Sequence, residues 1–387
     1  MAGQFLSSIY TYPWDLHDEG LAAALKRIRD TTGVTELMVT PSYHVSTYFL
    51  PHNPKRPIYW GEDGAVYFRP EGVAFQNLRI KPRVSSLAAG AGYFERMAAA
   101  IRDHGFEFGA WIVYCFNHHL AEAYPEFAKH DAFGNAYLSQ LSCAPQAVHD
   151  YALTLTSYVL DRFKPSAIHV ESLSRMNWNY GIRNQKILSP ISARCQFLLG
   201  VDFHGDFLQL WGKDGERFRR DVAEWLRVRM ARLPTAEDNE PVTDQWIQGA
   251  FEGRLKAYLE ACRKRTTELW TKAAQMIRQR GAKVQSGTVT ASAQWRTGLA
   301  LSTNQYLDRV TVGPGIDSMQ VDRIRKETNP NAIVMVSTQP GSMTEAAPLA
   351  GQLKSAAMAG CRGSTFYNYG LLREEQLRFI GAALKSL

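Results

Sequence analysis

Eight times along this chain a short alternating apolar run gives way to helical spacing or to a long irregular segment. The runs are Phe5 to Thr11, Val34 to Thr40, Phe106 to Tyr114, Ile168 to Glu171, Lys283 to Val289, Leu307 to Val312, Ala332 to Ser337 and Gly363 to Tyr367. Strand-then-helix alternation implies parallel strands joined by right-handed crossovers. Eight such units predict a closed (β/α)8 TIM barrel of the α/β class. The open doubly wound sheet is the rival, but its glycine-rich first turn is replaced here by Pro13-Trp14-Asp15-Leu16. With no internal repeat or low-complexity segment, residues 1–387 read as one barrel domain. Its excursions fall at about 45–85, 117–146 and 172–252, after strands two, three and four.

The fourth run shows how the barrel would present chemistry. Helical spacing from Val148 to Phe163 is broken by Lys164-Pro165, because proline cannot continue a helix. Ile168 and Val170 then alternate with His169 and Glu171, and the strand ends on a carboxylate. The C-terminal strand ends of a barrel face the ligand, so Glu171 is a candidate catalyst. The plain alternative is a glutamate held by Arg175 or Arg183. Other irregular stretches include an expected hairpin turn at Glu62-Asp63-Gly64 and an ambiguous segment from Ala291 to Leu301.

Several classes are disfavoured. The net charge is +7, but the cations are interleaved with acids, as in Lys26-Arg27-Ile28-Arg29-Asp30, so no nucleic-acid partner is expected. Five scattered cysteines form no CxxC pair, which argues against a disulfide framework or a zinc site. No apolar run reaches the ~18 residues of a membrane helix. Met1 to Tyr12 has no signal-peptide pattern, so a soluble cytoplasmic protein is expected. A homo-oligomer stays open.

Side chains at the strand ends would share one pocket. Tyr12, Trp14, His44, Asn117, His118, Tyr367 and Asn368 are expected to position substrate around Glu171. Aromatic rings, amides and imidazoles suit a carbohydrate, whose apolar faces stack while its hydroxyls need donors and acceptors. They suit phosphate poorly, and no cofactor is expected. Glycoside hydrolysis usually needs two carboxylates, ~5 Å apart for retention and ~6.5–9.5 Å for inversion. The candidates for base or nucleophile are Asp15, Asp317, and Asp202 and Asp206, which bracket His204 in the excursion after Glu171; Asp202 ranks first. Asp202 and Asp206 also read as turn or helix caps.

Three stretches carry a resemblance. Ile168-His169-Val170-Glu171-Ser172, Gly109-Ala110-Trp111-Ile112-Val113-Tyr114, and Leu50 to Arg56 with Glu62 to Phe68 resemble the broad set of glycoside-hydrolase-like barrels. That resemblance implies a glycosidase with Glu171 as proton donor. It departs from the pattern twice: Val170 stands where asparagine precedes the acid, and strand seven ends in Ser337-Thr338-Gln339 without a glutamate.

Two alternatives remain. His44, His118, His119, His169, Glu171, His204 and Asp206 could serve a metal-dependent sugar isomerase or aldolase, although no HxH or HExxH spacing occurs. The missing strand-seven acid fits an inactive sugar-binding relative.

Overall fold

A computed structural model describes residues 5–181 and 185–387. Eight strands make its centre: β1 Leu6–Thr11, β2 Glu36–Tyr43, β3 Glu107–Val113, β4 Ala167–Glu171, β5 Lys283–Ser286, β6 Arg309–Val312, β7 Ile333–Thr338 and β8 Gly363–Phe366. Each pairs in parallel with the next, and β8 pairs with β1, so the ring closes. This is a (β/α)8 barrel.

The two-residue period of a strand decides what faces in and what faces out. On β3, Phe108 points outward and meets Phe94 of the helix Tyr93–Asp103 edge-on. Its neighbour Trp111 belongs to the inward set and meets Tyr10 of β1. On β4, Ile168 and Val170 join the outer apolar core, while His169 reaches Tyr10 across the barrel. Glu171 shares the inward set with His169, two residues on. The helix Gln146–Phe163 ends at Lys164 in a left-handed conformation (φ 49°) before Pro165. Ser166 then donates its N–H to the Phe108 carbonyl at 2.8 Å, which sets the β4 register against β3.

The barrel floor is polar. Glu36 at the start of β2 accepts from Arg309 of β6 at 2.7 and 2.8 Å, from Ser166 at 3.1 Å and from Ser8. Gly109 makes room there, since a Cβ at that position would stand 2.0 Å from Met38 Sδ and 3.5 Å from Glu36 Cδ.

Three excursions stand on the C-terminal side. The first holds the antiparallel hairpin Thr47–Phe49 with Ile58–Trp60. The chain does turn at Asp63-Gly64, with Gly64 at φ 59°, but this is not the turn of a hairpin. The hairpin turns between residues 50 and 57, and Ala65–Val66 instead pairs antiparallel with the end of β2. The second holds the helix His118–Ala123 and the hairpin Ala128–His130 with Ala136–Leu141. The third is helical, and its apolar residues, among them Leu198, Phe207, Phe218 and Leu226, form a second core. That core packs on Tyr258 and Cys262 in the first half of the helix Arg254–Gln279. The second half of the same helix, through Leu269, Ala273 and Ile277, packs on the barrel. One long helix thus ties the third excursion to the barrel wall.

After β1 the chain forms two helices, Pro13–Glu19 and Leu21–Thr32, separated by Gly20 at φ 83°. The segment 291–301 contains the short helix Gln294–Thr297 and leads into a 3-10 turn, Leu301–Tyr306. Among the described residues no helix is long and apolar enough to cross a membrane. All five cysteines are free and buried.

Candidate active site

The strand ends open into a cleft of about 570 Å³, lined by Tyr12, Tyr43, His44, Tyr48, Phe49, Trp111, Glu171, Tyr180 and Tyr367, among others. Glu171 is the one carboxylate lining it among the described residues. The Trp111 indole N–H donates to Glu171 Oε2 at 2.5 Å. Burial pushes the Glu171 carboxyl above the ordinary carboxylate range, and the Trp111 hydrogen bond pulls the other way. Of the arginines expected as holders, Arg175 donates from Nε to the Arg296 carbonyl, and Arg183 lies outside the described residues.

Tyrosine hydroxyls face the carboxylate side of the cleft. Tyr12 Oη lies 2.8 Å from Tyr367 Oη and 3.2 Å from Tyr43 Oη, and Tyr43 and Tyr367 are 3.4 Å apart. Burial raises all three far enough to keep them neutral, so they serve as donors and acceptors rather than charges. Below them, Gln285 donates to Tyr10 Oη at 3.1 Å, and Tyr10 Oη lies 2.7 Å from His169 Nδ1. Burial lowers His169 to about 4, so it is neutral at pH 7 and its Nδ1 can accept a hydrogen bond from the Tyr10 hydroxyl. His44 is likewise lowered to about 4 by burial. Its ring stacks on Tyr43 at 4.2 Å, and its Nδ1 meets the Val45 carbonyl at 2.9 Å.

The structure brings Tyr12, His44, Glu171 and Tyr367 together. It does not bring the other expected residues into this cleft, and each has a packing reason. Trp14 lies within the helix Pro13–Glu19, fully buried, with its ring stacked beneath Tyr12 at 4.3 Å. Asn117 caps the helix His118–Ala123 by accepting from Leu120 N at 2.9 Å. Asn368 is buried and accepts from Gly370 N at 3.2 Å. His118 meets the Gly181 carbonyl at 3.0 Å and lines a neighbouring cavity with Tyr137 and Trp178. Asp202 accepts from the backbone N–H groups of His130 (3.3 Å) and His204 (3.0 Å), tying the third excursion to the second. Asp206 sits in the first turn of the helix Gly205–Leu210. Neither aspartate lines the Glu171 cleft.

The histidines considered for a metal are also dispersed. His204 is bonded to the Glu126 carbonyl at 2.7 Å, and His169 to Tyr10. Among the described residues no group of three or more His, Cys, Asp or Glu is placed to hold a metal ion. Sequence reasoning did not single out Trp111 as a site residue. Its signal was available: inward parity on β3, the strand neighbouring β4.

No protein-family model matches the chain, and no curated protein matches it in sequence. Solved structures match it in fold. Against α-L-fucosidase isoenzyme 2 from Paenibacillus thiaminolyticus the TM-score is 0.55 over 99% of this chain and 49% of that one, at 11% identity. Against the β-galactosidase of the psychrophilic Marinomonas ef1 it is 0.57 over 98% and 59%, at 9% identity. Against the β-amylase catalytic domain from Paenibacillus polymyxa it is 0.52 over 97% and 95%, at 11% identity. The chain shares its (β/α)8 barrel fold with these three structures. This chain spans about half the length of that fucosidase (49%) and 59% of that galactosidase. At these identities the likeness is one of fold, and the chemistry rests on the side chains in the cleft.

Proposed function

We propose that this protein is a glycosidase acting on a carbohydrate, with Glu171 as general acid, the whole chain forming one catalytic unit. The observation that carries the reading is a half-buried carboxyl at the end of β4, facing an aromatic cleft, whose pKa burial raises above the ordinary carboxylate range. A protonated carboxyl of raised pKa can donate to the oxygen of a departing sugar. Trp111 fixes the carboxyl's direction, Tyr12, Tyr43 and Tyr367 offer hydroxyls to sugar hydroxyls, and the exposed Phe49 offers a ring face. No cofactor enters this chemistry.

The usual second carboxylate is not supplied by a lining residue. Glycosidases that use a tyrosine or a group of the substrate in its place exist. The same single acid favours a second reading, a sugar-binding protein without turnover.

Glu171→Gln, assayed on a panel of nitrophenyl glycosides, separates these. As an acid catalyst, Glu171→Gln loses roughly 10²–10⁴-fold in kcat while KM stays within a few-fold. Turnover equal to wild type removes Glu171 from the mechanism. A wild-type protein that binds sugars and cleaves none of the panel supports the binding reading.

A further inference from the structure

His44 directly follows β2 and lines the same cleft as Glu171. Its ring is held by three contacts. It stacks on Tyr43 with centroids 4.2 Å apart, meets Phe116 at 4.4 Å, and places Nδ1 2.9 Å from the Val45 carbonyl oxygen. A carbonyl oxygen only accepts, so Nδ1 carries the hydrogen. That fixes the tautomer and leaves the lone pair on Nε2. Nε2 has no protein partner among the described residues and is not sealed from solvent. The space that His44 borders is the cleft, so the lone pair opens there. His204 is the contrast. Both of its nitrogens are occupied, one by the Asp206 amide and the other by the Glu126 carbonyl, and it caps a helix.

Two further properties suit Nε2 to take a proton from water. The first is basicity. Burial holds the imidazole down at about 4; the Val45 carbonyl pulls the other way, and His118 adds to the lowering. At neutral pH the ring is therefore uncharged, with the basicity of an ordinary carboxylate, the group that activates water in inverting glycosidases. The second is separation from the acid. Trp111, which holds Glu171, meets Tyr43 edge-on at 4.7 Å, and Tyr43 in turn stacks on His44. Two rings thus line the wall between carboxyl and imidazole. A cleft of about 570 Å³ has room for a sugar carbon and a water between them.

We propose that His44 Nε2 is the general base of this cleft, taking a proton from the water that attacks the anomeric carbon, and that the reaction inverts configuration. The assignment rests on the reading of Glu171 as general acid. In the step, a water O–H bond breaks and its proton goes to Nε2. The water oxygen bonds to the anomeric carbon as the bond from that carbon to the leaving oxygen breaks, and Glu171 gives the leaving oxygen its proton. Imidazolium and carboxylate then return to their starting forms by exchanging one proton each with solvent. His44 supplies what the missing second carboxylate would supply, on the face opposite the acid.

The wild-type protein tests the stereochemistry without any substitution. Proton NMR of the sugar released from a nitrophenyl glycoside, read before mutarotation, shows the anomer opposite to that of the substrate. Retained configuration overturns the proposal and leaves Glu171 as acid. His44→Gln loses roughly 10²–10⁴-fold in kcat with KM within a few-fold. A base works deprotonated, so wild-type kcat/KM falls as pH drops through about 4, and His44→Gln lacks that limb. Azide attacks without giving up a proton, so it revives His44→Gln on nitrophenyl glycosides and yields the glycosyl azide. A His44→Gln protein that turns over as wild type does, keeps the acidic limb, or is not revived by azide overturns the proposal. Glu171→Gln separates this failure from that of the acid. An impaired Glu171→Gln beside an unaffected His44→Gln leaves the glycosidase reading standing, whereas a wild-type protein that cleaves none of the panel removes both.

Discussion

Trp111 Nε1 donates a 2.5 Å hydrogen bond to Glu171 Oε2 diagonally across the β3–β4 pair, where Trp111 is itself in register with His169. The bond favours the charged carboxylate, against the burial that favours the neutral one. Removing it therefore raises the Glu171 pKa. A general acid works in its protonated form, so kcat/KM falls as pH rises through that pKa. In Trp111→Phe the basic limb of the kcat/KM profile moves to higher pH. At the same time kcat drops roughly 10- to 100-fold as the carboxyl loses its fixed direction. A limb that stays put or moves down removes Trp111 from the acid's environment.

Asp15 gives a pH dependence of stability that is separate from activity. Its Oδ2 accepts from Tyr12 N at 3.1 Å, its Oδ1 has no partner among the described residues, and burial pushes its carboxyl up to about 8. Below the unfolded carboxylate value near 3.8 both states are protonated and the group is neutral to stability. Between there and about 8 the unfolded chain ionises while the folded one does not. Stability is thus lost as pH rises through that window and is flat above it. Asp15→Asn keeps an acceptor for Tyr12 N and removes the titration. The Tm of the variant minus that of wild type should rise from pH 4 to pH 8, by on the order of 2 °C or more. Parallel Tm curves would show that Asp15 is ionised in the fold.

How much of this was legible in the sequence varies with the range of the interactions. Each barrel strand is bounded by local signals, such as Lys164-Pro165 before β4, and the ring of eight follows from their number and alternation. Glu171 was legible because parity and strand end are local properties. The rest of the site was decided by contacts far apart in the chain. Trp14 looked like a strand-end aromatic, but the chain turns into a helix at Pro13 and carries it beneath Tyr12. Asp202 looked like a carboxylate near Glu171, but it accepts from His204 N two residues on, as a turn cap does, and from His130 N, 72 residues earlier. The hairpin turn was assigned to an Asp-Gly pair by composition, whereas pairing of Tyr48 with Tyr59 puts it upstream. Those tyrosines pack on Trp14, and no pattern over neighbouring residues reports that contact.

The Glu36–Arg309 pair at the barrel floor should behave as a buried ion pair. Glu36 is fully buried and its two oxygens take Arg309, Ser166 and Ser8 as donors. Breaking such a pair from one side strands the other charge and costs about 3–5 kcal/mol, whereas replacing both partners by apolar residues is close to neutral. Arg309→Met should lower the urea-unfolding free energy by that amount, and the Glu36→Met/Arg309→Met double variant should recover most of it. A double variant as unstable as the single one would mean that the pair itself, and not the stranded charge, supplies the stability.

Two glycines in surface helices should respond to alanine with opposite signs. Gly351 lies in the helix Ala347–Met358, and an added Cβ there would meet nothing within 4 Å. Helix propensity alone then favours alanine at this position by about 0.5–1 kcal/mol. Gly381 lies in the helix Glu374–Lys385, where a Cβ would stand 2.3 Å from the Thr31 carbonyl oxygen and 3.3 Å from its carbon. Thr31 belongs to the last turn of Leu21–Thr32, so the obstacle is backbone and the two helices must separate. That overpacking costs about 1–3 kcal/mol and exceeds the propensity gain. Denaturant unfolding of the two variants should show Gly351→Ala stabilised and Gly381→Ala destabilised. A Gly381→Ala protein more stable than wild type would mean that the closure of the last helix onto the helix Leu21–Thr32 is looser than the 2.3 Å approach requires.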